Sequence, residues 1–145
     1  ETEESLPIVI DLLHKYQLRD RIKVICSGKL ITPAGVAWAL AVGADFINSA
    51  RGFMFALGCI QALQCNRNTC PTGITTHDPK LQRGLVVPEK SERIANYIRN
   101  MNYEVGVLAH SCGVSDPRDL QRHHVRIVVE HGRSVTLDEL YPSIK

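Results

Sequence analysis

The sequence predicts an α/β domain in which short parallel strands alternate with helices. Two short apolar stretches, Ile22–Cys26 and Asp45–Ser49, are each flanked by segments whose apolar residues have helical spacing. The resulting order is helix, strand, helix, strand, helix, and short connections in such an alternation imply parallel strands covered by helices. Two strands alone leave the sheet edges unpaired, so we expect further strands from sequence outside this chain or from another chain.

The first helix and the first strand follow from spacing and boundary residues. Thr2 is a suitable cap for the helix, whose apolar residues recur on one face at Leu6, Val9, Ile10 and Leu13. Ile22–Cys26 is short, rich in β-branched residues and bounded by Ser27 and Gly28. These features predict a buried strand.

The second helix has signals at both ends. Thr32 is its predicted cap, Pro33 occupies the first helical position, and Gly43 is a natural C-terminal glycine. The residues between them are apolar nearly all round, which is typical of a helix that is buried on several sides. After the second strand, another apolar helix is predicted over Gly52–Leu63.

The C-terminal half is predicted to be an irregular segment followed by a helical tail. Residues 71–88 are rich in Pro, Thr and Gly, which favours surface loop structure. A long amphipathic helix is predicted over Pro88–Leu108 and a short one over Asp116–Leu120. Thr136 and Glu139 form a capping-box pattern for a last helical turn.

The composition is that of a folded protein of ordinary charge. The 145 residues are 44% hydrophobic and 22% charged, which excludes wholesale disorder. Lys and Arg number 17 against 15 Asp and Glu, and this net charge of +2 argues against a dedicated nucleic-acid or membrane-surface binder. We find no membrane span and no signal peptide, and expect a cytoplasmic protein. Because the chain begins with Glu1, we expect a piece of something longer.

The tail is mildly basic. Its arginines predict a solvated face, with docking of an acidic electron donor as the alternative. The residues concerned are Arg118, Arg122, Arg126 and Arg133.

Three of the five cysteines form a compact pattern. Cys59, Cys65 and Cys70 lie within twelve residues, and Pro71 follows directly. Several soft thiolate ligands on one loop suit an iron–sulfur cluster, and a proline after the last cysteine recurs in such loops. Nearby polar groups are expected to donate hydrogen bonds to the cluster sulfurs: Asn66, Asn68 and Thr69.

Other uses of these cysteines remain open on spacing alone. Zinc sites usually place cysteines two to four residues apart in two pairs, which fits poorly here. An odd cysteine count without signs of secretion argues against a disulfide framework. Inert core cysteines are the main alternative for these three, and Cys26 and Cys112 are interpreted as plain buried or surface thiols.

Small residues end both predicted strands. Ser27, Gly28 and Lys29 follow the first strand, and Ala50 and Arg51 follow the second. Small residues at the ends of neighbouring parallel strands let backbone N–H groups approach a phosphate, to which Lys29 and Arg51 can add charge. The alternative is that the glycine simply makes a tight turn.

Together these segments resemble a known family. The residues concerned are VICSGKLITPAGVAWALAVGAD at 24–45, Ala56-Leu57-Gly58-Cys59, and CNRNTCPTGITTHDP at 65–79. They are similar, in order and spacing, to the FMN-binding domain of glutamate synthases and related FMN-binding glutamate-synthase-like proteins. The similarity is specific from about residue 21 to residue 79 and weaker in the tail.

The resemblance implies the last two βα units of a (β/α)8 TIM-type barrel, followed by an iron–sulfur loop and a helical C-terminal tail. Residues 1–79 would be the end of the FMN-binding barrel with its cluster loop, and residues 80–145 a helical extension of the same domain. The strand-end residues would hold the FMN phosphate and the three cysteines a [3Fe-4S] cluster: Ser27, Gly28, Lys29, Ala50 and Arg51 for FMN, and Cys59, Cys65 and Cys70 for the cluster.

The implied reaction is reductive synthesis of L-glutamate from 2-oxoglutarate and the amino group of glutamine. Electrons would come from ferredoxin or a reductase subunit, and the amino group from a glutamine amidotransferase domain or subunit. Many family members have Asp-Gly-Gly at Ser27–Lys29 and Gly-Thr at Ala50–Arg51. These departures allow an FMN oxidoreductase with a different substrate. A second alternative is that the fragment, or a degenerate relative, is a non-catalytic iron–sulfur electron-transfer or interaction module.

Overall fold

A computed structural model describes residues 2–143 of the chain. Residues 50–101 form one compact unit, here called the central unit, and the segments on either side form a second, the flanking unit. Within the described residues the helices are Thr2–Lys15 (α1), Pro33–Val42 (α2), Ala50–Leu57 (α3), Pro79–Gln82 (α4), Val87–Ser111 (α5) and Leu137–Leu140 (α6). The strands are Ile25–Ser27 (β1), Phe46–Asn48 (β2), Arg126–Val128 (β3) and Ser134–Thr136 (β4). The architecture is therefore α/β, as the sequence predicts.

The flanking unit is built on a parallel strand pair. β1 and β2 run side by side with Cys26 opposite Ile47, which confirms the predicted parallel pairing. Cys26 is buried at 4% exposure, whereas the paired residues Ile25 and Phe46 are 67% and 57% exposed. The first strand is thus buried on one face only; α1 contacts this strand, and α2 contacts β2. It also begins later than predicted, since the Ile22 N–H donates to Leu18 O in the turn after α1.

The second helix, α2, has the boundaries that its sequence predicts. The Thr32 hydroxyl accepts a hydrogen bond from Gly35 N at 3.2 Å, and Pro33 is the first helical residue. At the other end, Gly43 has a φ of 124° and its N–H donates to Ala39 O and Leu40 O. The positive φ explains why glycine stands there. Most of the helix is buried, so it forms the centre of the flanking unit.

A carboxylate joins the start of β1 to the residue that precedes β2. Asp45 accepts a hydrogen bond from Val24 N and forms an ion pair with Arg19, each at 2.8 Å. Burial alone would raise the pKa of Asp45, but the Val24 N–H and Arg19 outweigh it and hold that pKa below its ordinary value. Arg19 also donates to Gly43 O, so one guanidinium ties together the end of α2 and the second strand.

The tail contains a hairpin that the sequence analysis did not predict. β3 and β4 pair antiparallel, with Ile127 opposite Val135. Arg126 donates from its side chain to the Ser134 hydroxyl and carbonyl, which stabilises the pairing. The predicted short helix near residue 117 is a single 3-10 turn, and Thr136 precedes α6 without capping it, since its hydroxyl donates to the Glu139 carboxylate. The described tail therefore contains the helices α4, α5 and α6 and, in addition, a hairpin that was not predicted.

Arg122 is buried, contrary to the expectation of a solvated basic face. Its side chain is 7% exposed and makes a bidentate ion pair with Asp11 of α1, at 2.7 and 3.3 Å. It also donates to Tyr141 O at 2.8 Å. Arg118, by contrast, lies on the surface and pairs with Asp116, as a solvated residue would. Arg122 thus fastens the tail onto the first helix.

The central unit contains α3, α4, the first part of α5 and a long irregular stretch between α3 and α4. α3 begins at Ala50 and ends at Leu57, earlier at both ends than the predicted Gly52–Leu63. Phe53 of α3 packs edge-on against Tyr97 of α5, with ring centroids 5.6 Å apart. Among residues 2–143, no helix is both long and apolar enough to cross a membrane.

Candidate functional site

The first candidate segment is the turn that ends β1. Gly28 has a φ of 149°, and a Cβ at this position would overlap the hydroxyl group of Thr2. Lys29 follows with a φ of 58°, in the left-handed region that side chains other than glycine rarely adopt. The Ile31 N–H donates to Lys29 O, which closes the turn. Ser27, Gly28 and Lys29 are all exposed, so their backbone groups are accessible to a ligand.

A cavity opens at this strand end. Its volume is about 480 Å³, and its walls include Gly28 and Lys29, the first residues of α1 and the start of α2. Parallel strands present ligand sites at their carboxyl ends, which is the edge where Ser27 pairs with Asn48. Lys29 brings a positive charge to the lining of this cavity and Glu3 a negative one, so the two residues have opposite effects on a bound anion.

The second candidate segment is the start of α3. Ala50 and Arg51 form its first turn, and both are exposed, while Gly52 beside them is buried. The first N–H groups of a helix have no partner within the helix and can bind an anion. The exposed Arg51 side chain is therefore available for contacts with a negatively charged group.

The three predicted cluster ligands are all in the central unit. All three are free thiols: Cys59 follows α3 and is half-buried, Cys65 begins the 3-10 turn Cys65–Arg67 and is exposed, and Cys70 is half-buried. Within residues 2–143, the structure does not bring three or more His, Cys, Asp or Glu side chains into one metal-binding group. The shared sulfur centre accordingly stays a prediction.

Cys70 has the most developed surroundings of the three. Its Sγ lies 3.2 Å from the Thr72 hydroxyl oxygen. The Thr72 hydroxyl and then the Thr75 backbone N–H lower the pKa of the Cys70 thiol to about 6. Hydrogen-bond donors stabilise the charged form, so Cys70 is a thiolate near neutral pH. A thiolate is the form that binds metal, and the donor set in this respect fits an iron–sulfur group.

A hydrogen-bonded loop holds Cys70 in place. Thr69 and Thr76 form a β-bridge, and the Thr76 hydroxyl donates to Asn68 O at 2.7 Å. The His77 N–H donates to the Asn68 side-chain oxygen, and Gln82 donates to Thr76 O. The loop is thus closed at its base and anchored to α4.

The residues expected to donate to cluster sulfurs are only partly placed to do so. The Thr69 hydroxyl donates to the Gln64 side-chain oxygen at 2.8 Å, and the Asn68 side-chain oxygen is taken by His77 N. The hydroxyl that contacts a predicted ligand is that of Thr72, which the sequence analysis missed. Its position two residues after a cysteine in a Pro-rich turn was the available signal.

The chain thus combines an α/β unit that has an exposed turn at the end of β1 with a unit that carries three free thiols. The family model described as the conserved region in glutamate synthase matches residues 2–115. The chain therefore belongs to the glutamate synthase family, and the resemblance noted from the sequence is confirmed.

Individual relatives agree with this assignment. The glutamate synthase large subunit-like protein YerD of Bacillus subtilis is 47% identical over 136 residues, which are 94% of this chain and 26% of that protein. The archaeal glutamate synthase (NADPH) of Methanocaldococcus jannaschii is 31% identical over 137 residues, again 94% and 26%. The glutamate synthase (NADPH) large chain of Azospirillum brasilense is 32% identical over 97 residues, 66% of this chain and 6% of that protein.

The chain spans about a quarter of the length of the first two relatives. The activity, substrates and partners of the whole protein are accordingly matters of proposal.

Proposed function

We propose that this chain is part of an FMN- and iron–sulfur-dependent oxidoreductase that makes L-glutamate from 2-oxoglutarate and the amino group of glutamine. The observation that carries the proposal is the family match over residues 2–115. The electron donor is proposed to be ferredoxin or a reductase subunit, and the amino donor a glutamine amidotransferase domain or subunit. Two of the relatives carry NADPH in their names.

The exposed apolar face of the strand pair supports a barrel. Ile25 and Phe46 lie side by side on the face opposite the helices, and both are more than half exposed. Strands of a (β/α)8 barrel bury one face against helices and the other in the barrel interior. We propose that β1 and β2 are two neighbouring strands of such a barrel, with this apolar face toward the barrel interior.

The strand-end turn is the proposed contribution of this chain to FMN binding. Gly28 lets the backbone turn sharply, and Lys29 adds a positive charge to this exposed turn. Phosphate is bound well by such a combination of backbone donors and nearby positive charge. Ala50 and Arg51 are proposed to contribute the same kinds of contact from the first turn of α3.

The cysteines are the proposed ligands of a [3Fe-4S] cluster. Cys70 is held as a thiolate by its neighbours, and the stretch between Cys59 and Cys70 is largely irregular, so it can adapt around an inorganic centre. When bound, FMN supplies hydride transfer and the cluster supplies one-electron transfer. The side chains of this chain hold these groups and set their surroundings.

The test is the cofactor content of the full-length protein, purified without oxygen, as wild type and as two cysteine variants. Cys65→Ser removes one proposed ligand from an exposed position, so the fold should tolerate it. We expect it to abolish the broad visible absorbance and the iron and sulfide content, while flavin is partly retained. Cys112→Ser is the matched control, because Cys112 is also exposed but outside the triplet.

Three other results of these measurements would favour a different function for the protein or its cysteines. Unchanged iron and sulfide in Cys65→Ser would remove the cluster from this site. A wild-type cluster without flavin would favour a non-catalytic electron-transfer module. Flavin and cluster together, with no glutamate formed, would favour an FMN oxidoreductase of another substrate.

A further inference from the structure

The Thr72 hydroxyl is a candidate hydrogen-bond donor to the sulfur of Cys70. The Thr72 hydroxyl oxygen lies 3.2 Å from Cys70 Sγ, within hydrogen-bond range for sulfur. Either atom could donate in the free thiol, but a sulfur bound to iron carries no proton, so the hydroxyl would be the donor in the loaded site. Two other hydroxyls of the loop have different partners: that of Thr69 donates to Gln64, and that of Thr76 to Asn68 O.

The backbone around Thr72 is held in a tight turn. The Gly73 N–H donates to Cys70 O at 3.2 Å, closing a tight turn that contains Thr72. Gly73 has a φ of 79°, and a Cβ there would overlap the Leu81 carbonyl oxygen of α4. The turn is therefore pressed against α4 and cannot rotate freely. Thr72 is half-buried, which shields the hydrogen bond from competing water.

A second hydroxyl nearby supports the presence of a further acceptor. Thr75 Oγ1 is buried and has no hydrogen-bond partner among the described residues. Its backbone N–H and, more weakly, its hydroxyl both lower the pKa of the Cys70 thiol, so this hydroxyl lies close to the same sulfur. Buried polar groups are nearly always satisfied, and the sulfurs of a bound cluster are acceptors.

We propose that Thr72 sets the reduction potential of the iron–sulfur centre by donating a hydrogen bond to the Cys70 sulfur. This inference rests on the proposed function. Reduction adds one electron and one unit of negative charge to the centre without making or breaking a bond. A donor to a ligand sulfur stabilises the more negative state, so the hydrogen bond raises the potential. Thr72 is a positioning residue, since it acts through Cys70.

The experiment is an anaerobic redox titration of the full-length protein with dithionite and mediators, followed by electron paramagnetic resonance. In Thr72→Val, which keeps the shape and removes the hydroxyl, we expect a lower potential. At a fixed solution potential the ratio of reduced to oxidised centres should fall about tenfold, which is ~59 mV for a one-electron couple. Thr72→Ser keeps the hydroxyl and should titrate like the wild type.

Thr69→Val is the matched control, because it removes a hydroxyl of the same loop that is bonded to Gln64 instead of sulfur. A wild-type potential in Thr72→Val, or an equal shift in Thr69→Val, overturns the inference and leaves the proposed function standing. If Thr72→Val retains no iron, Thr72→Ser decides: a wild-type potential supports the inference and a lowered one overturns it. Absence of iron from the wild type overturns the proposed cluster and the inference together.

Discussion

At the scale of single residues, Lys29 is the most informative departure from the family. It adopts a φ of 58°, in the left-handed region that favours glycine, and the resemblance noted from the sequence implies the second glycine of Asp-Gly-Gly at this position. Holding an L residue in this region costs roughly 1 kcal/mol, which a glycine would not pay. A strained residue at a strand end, beside a cavity, is best explained by the use of its side chain. The proposed use is attraction of the FMN phosphate.

The substitution Lys29→Gly separates the backbone strain at this position from the attraction of phosphate by the side chain. We expect it to weaken FMN binding by about tenfold, the value of one charge-assisted hydrogen bond, while thermal stability of the FMN-free protein stays equal or rises. The measurement is an FMN dissociation constant from fluorescence titration, with Lys29→Arg as a control that keeps the charge. A wild-type FMN affinity in Lys29→Gly would show that the Lys29 side chain does not contribute to FMN binding.

Arg122 shows how strongly burial changes the role of a basic residue. Its guanidinium satisfies both the Asp11 carboxylate and Tyr141 O in a buried setting. Arg122→Met would leave that carboxylate buried without its partner, so we expect a loss of ~3–5 kcal/mol in the free energy of unfolding. The measurement is denaturant unfolding of the full-length protein.

Arg118→Met is the control for that experiment. Arg118 makes comparable contacts with Asp116 but on the surface, where ion pairs contribute little. We expect no clear shift in its unfolding midpoint. Equal destabilisation by the two substitutions would contradict the assignment of Arg122 as the fastening of the tail.

At the scale of elements, the helix α5 offers a comparison of two glycines. Gly106 lies inside the helix and Gly113 just beyond its end, and a Cβ on either would meet no atom within 4 Å. They differ in backbone conformation, since Gly113 has a φ of 80°. Gly106→Ala should therefore stabilise the protein by roughly 0.5–1 kcal/mol, and Gly113→Ala should destabilise it by about 1 kcal/mol. A shift of both melting temperatures in the same direction would contradict this account.

Elements with strong local signals were predictable from the sequence, and those made by tertiary contacts were not. The boundaries of α2 follow from Thr32, Pro33 and Gly43, whose effects are local. The hairpin β3–β4 consists of two three-residue strands, which are too short to show a clear periodicity in the sequence. Its pairing is stabilised by the contact between Arg126 and Ser134, which the sequence pattern does not reveal.

The same division holds at the candidate site. Residue type and spacing identified Cys70 as a ligand candidate, whereas the donor role of Thr72 depends on how a turn is held against α4. Which hydroxyl faces a sulfur is decided by side-chain geometry, which spacing does not specify. Asn68 and Thr69 are as polar as Thr72 and lie closer in sequence to Cys65, yet their side chains make hydrogen bonds within the loop.

At the scale of the whole molecule, the described residues form two units with different tasks. The flanking unit carries the strand pair and the turn at Gly28, and the central unit carries the three cysteines. Family membership links both to glutamate synthases over residues 2–115. Since the chain is about a quarter of its first two relatives, the complete reaction has to be tested on the full-length protein.

The most direct measurement follows nitrogen from glutamine to glutamate. Full-length protein with its cofactors would be given 2-oxoglutarate, reduced ferredoxin or a reductase with NADPH, and glutamine labelled at the amide with a heavy nitrogen isotope. The account predicts that the label appears in the amino group of newly formed glutamate, and that Cys65→Ser slows its appearance while Cys112→Ser does not. Unlabelled glutamate, or none, from cofactor-replete protein would contradict it.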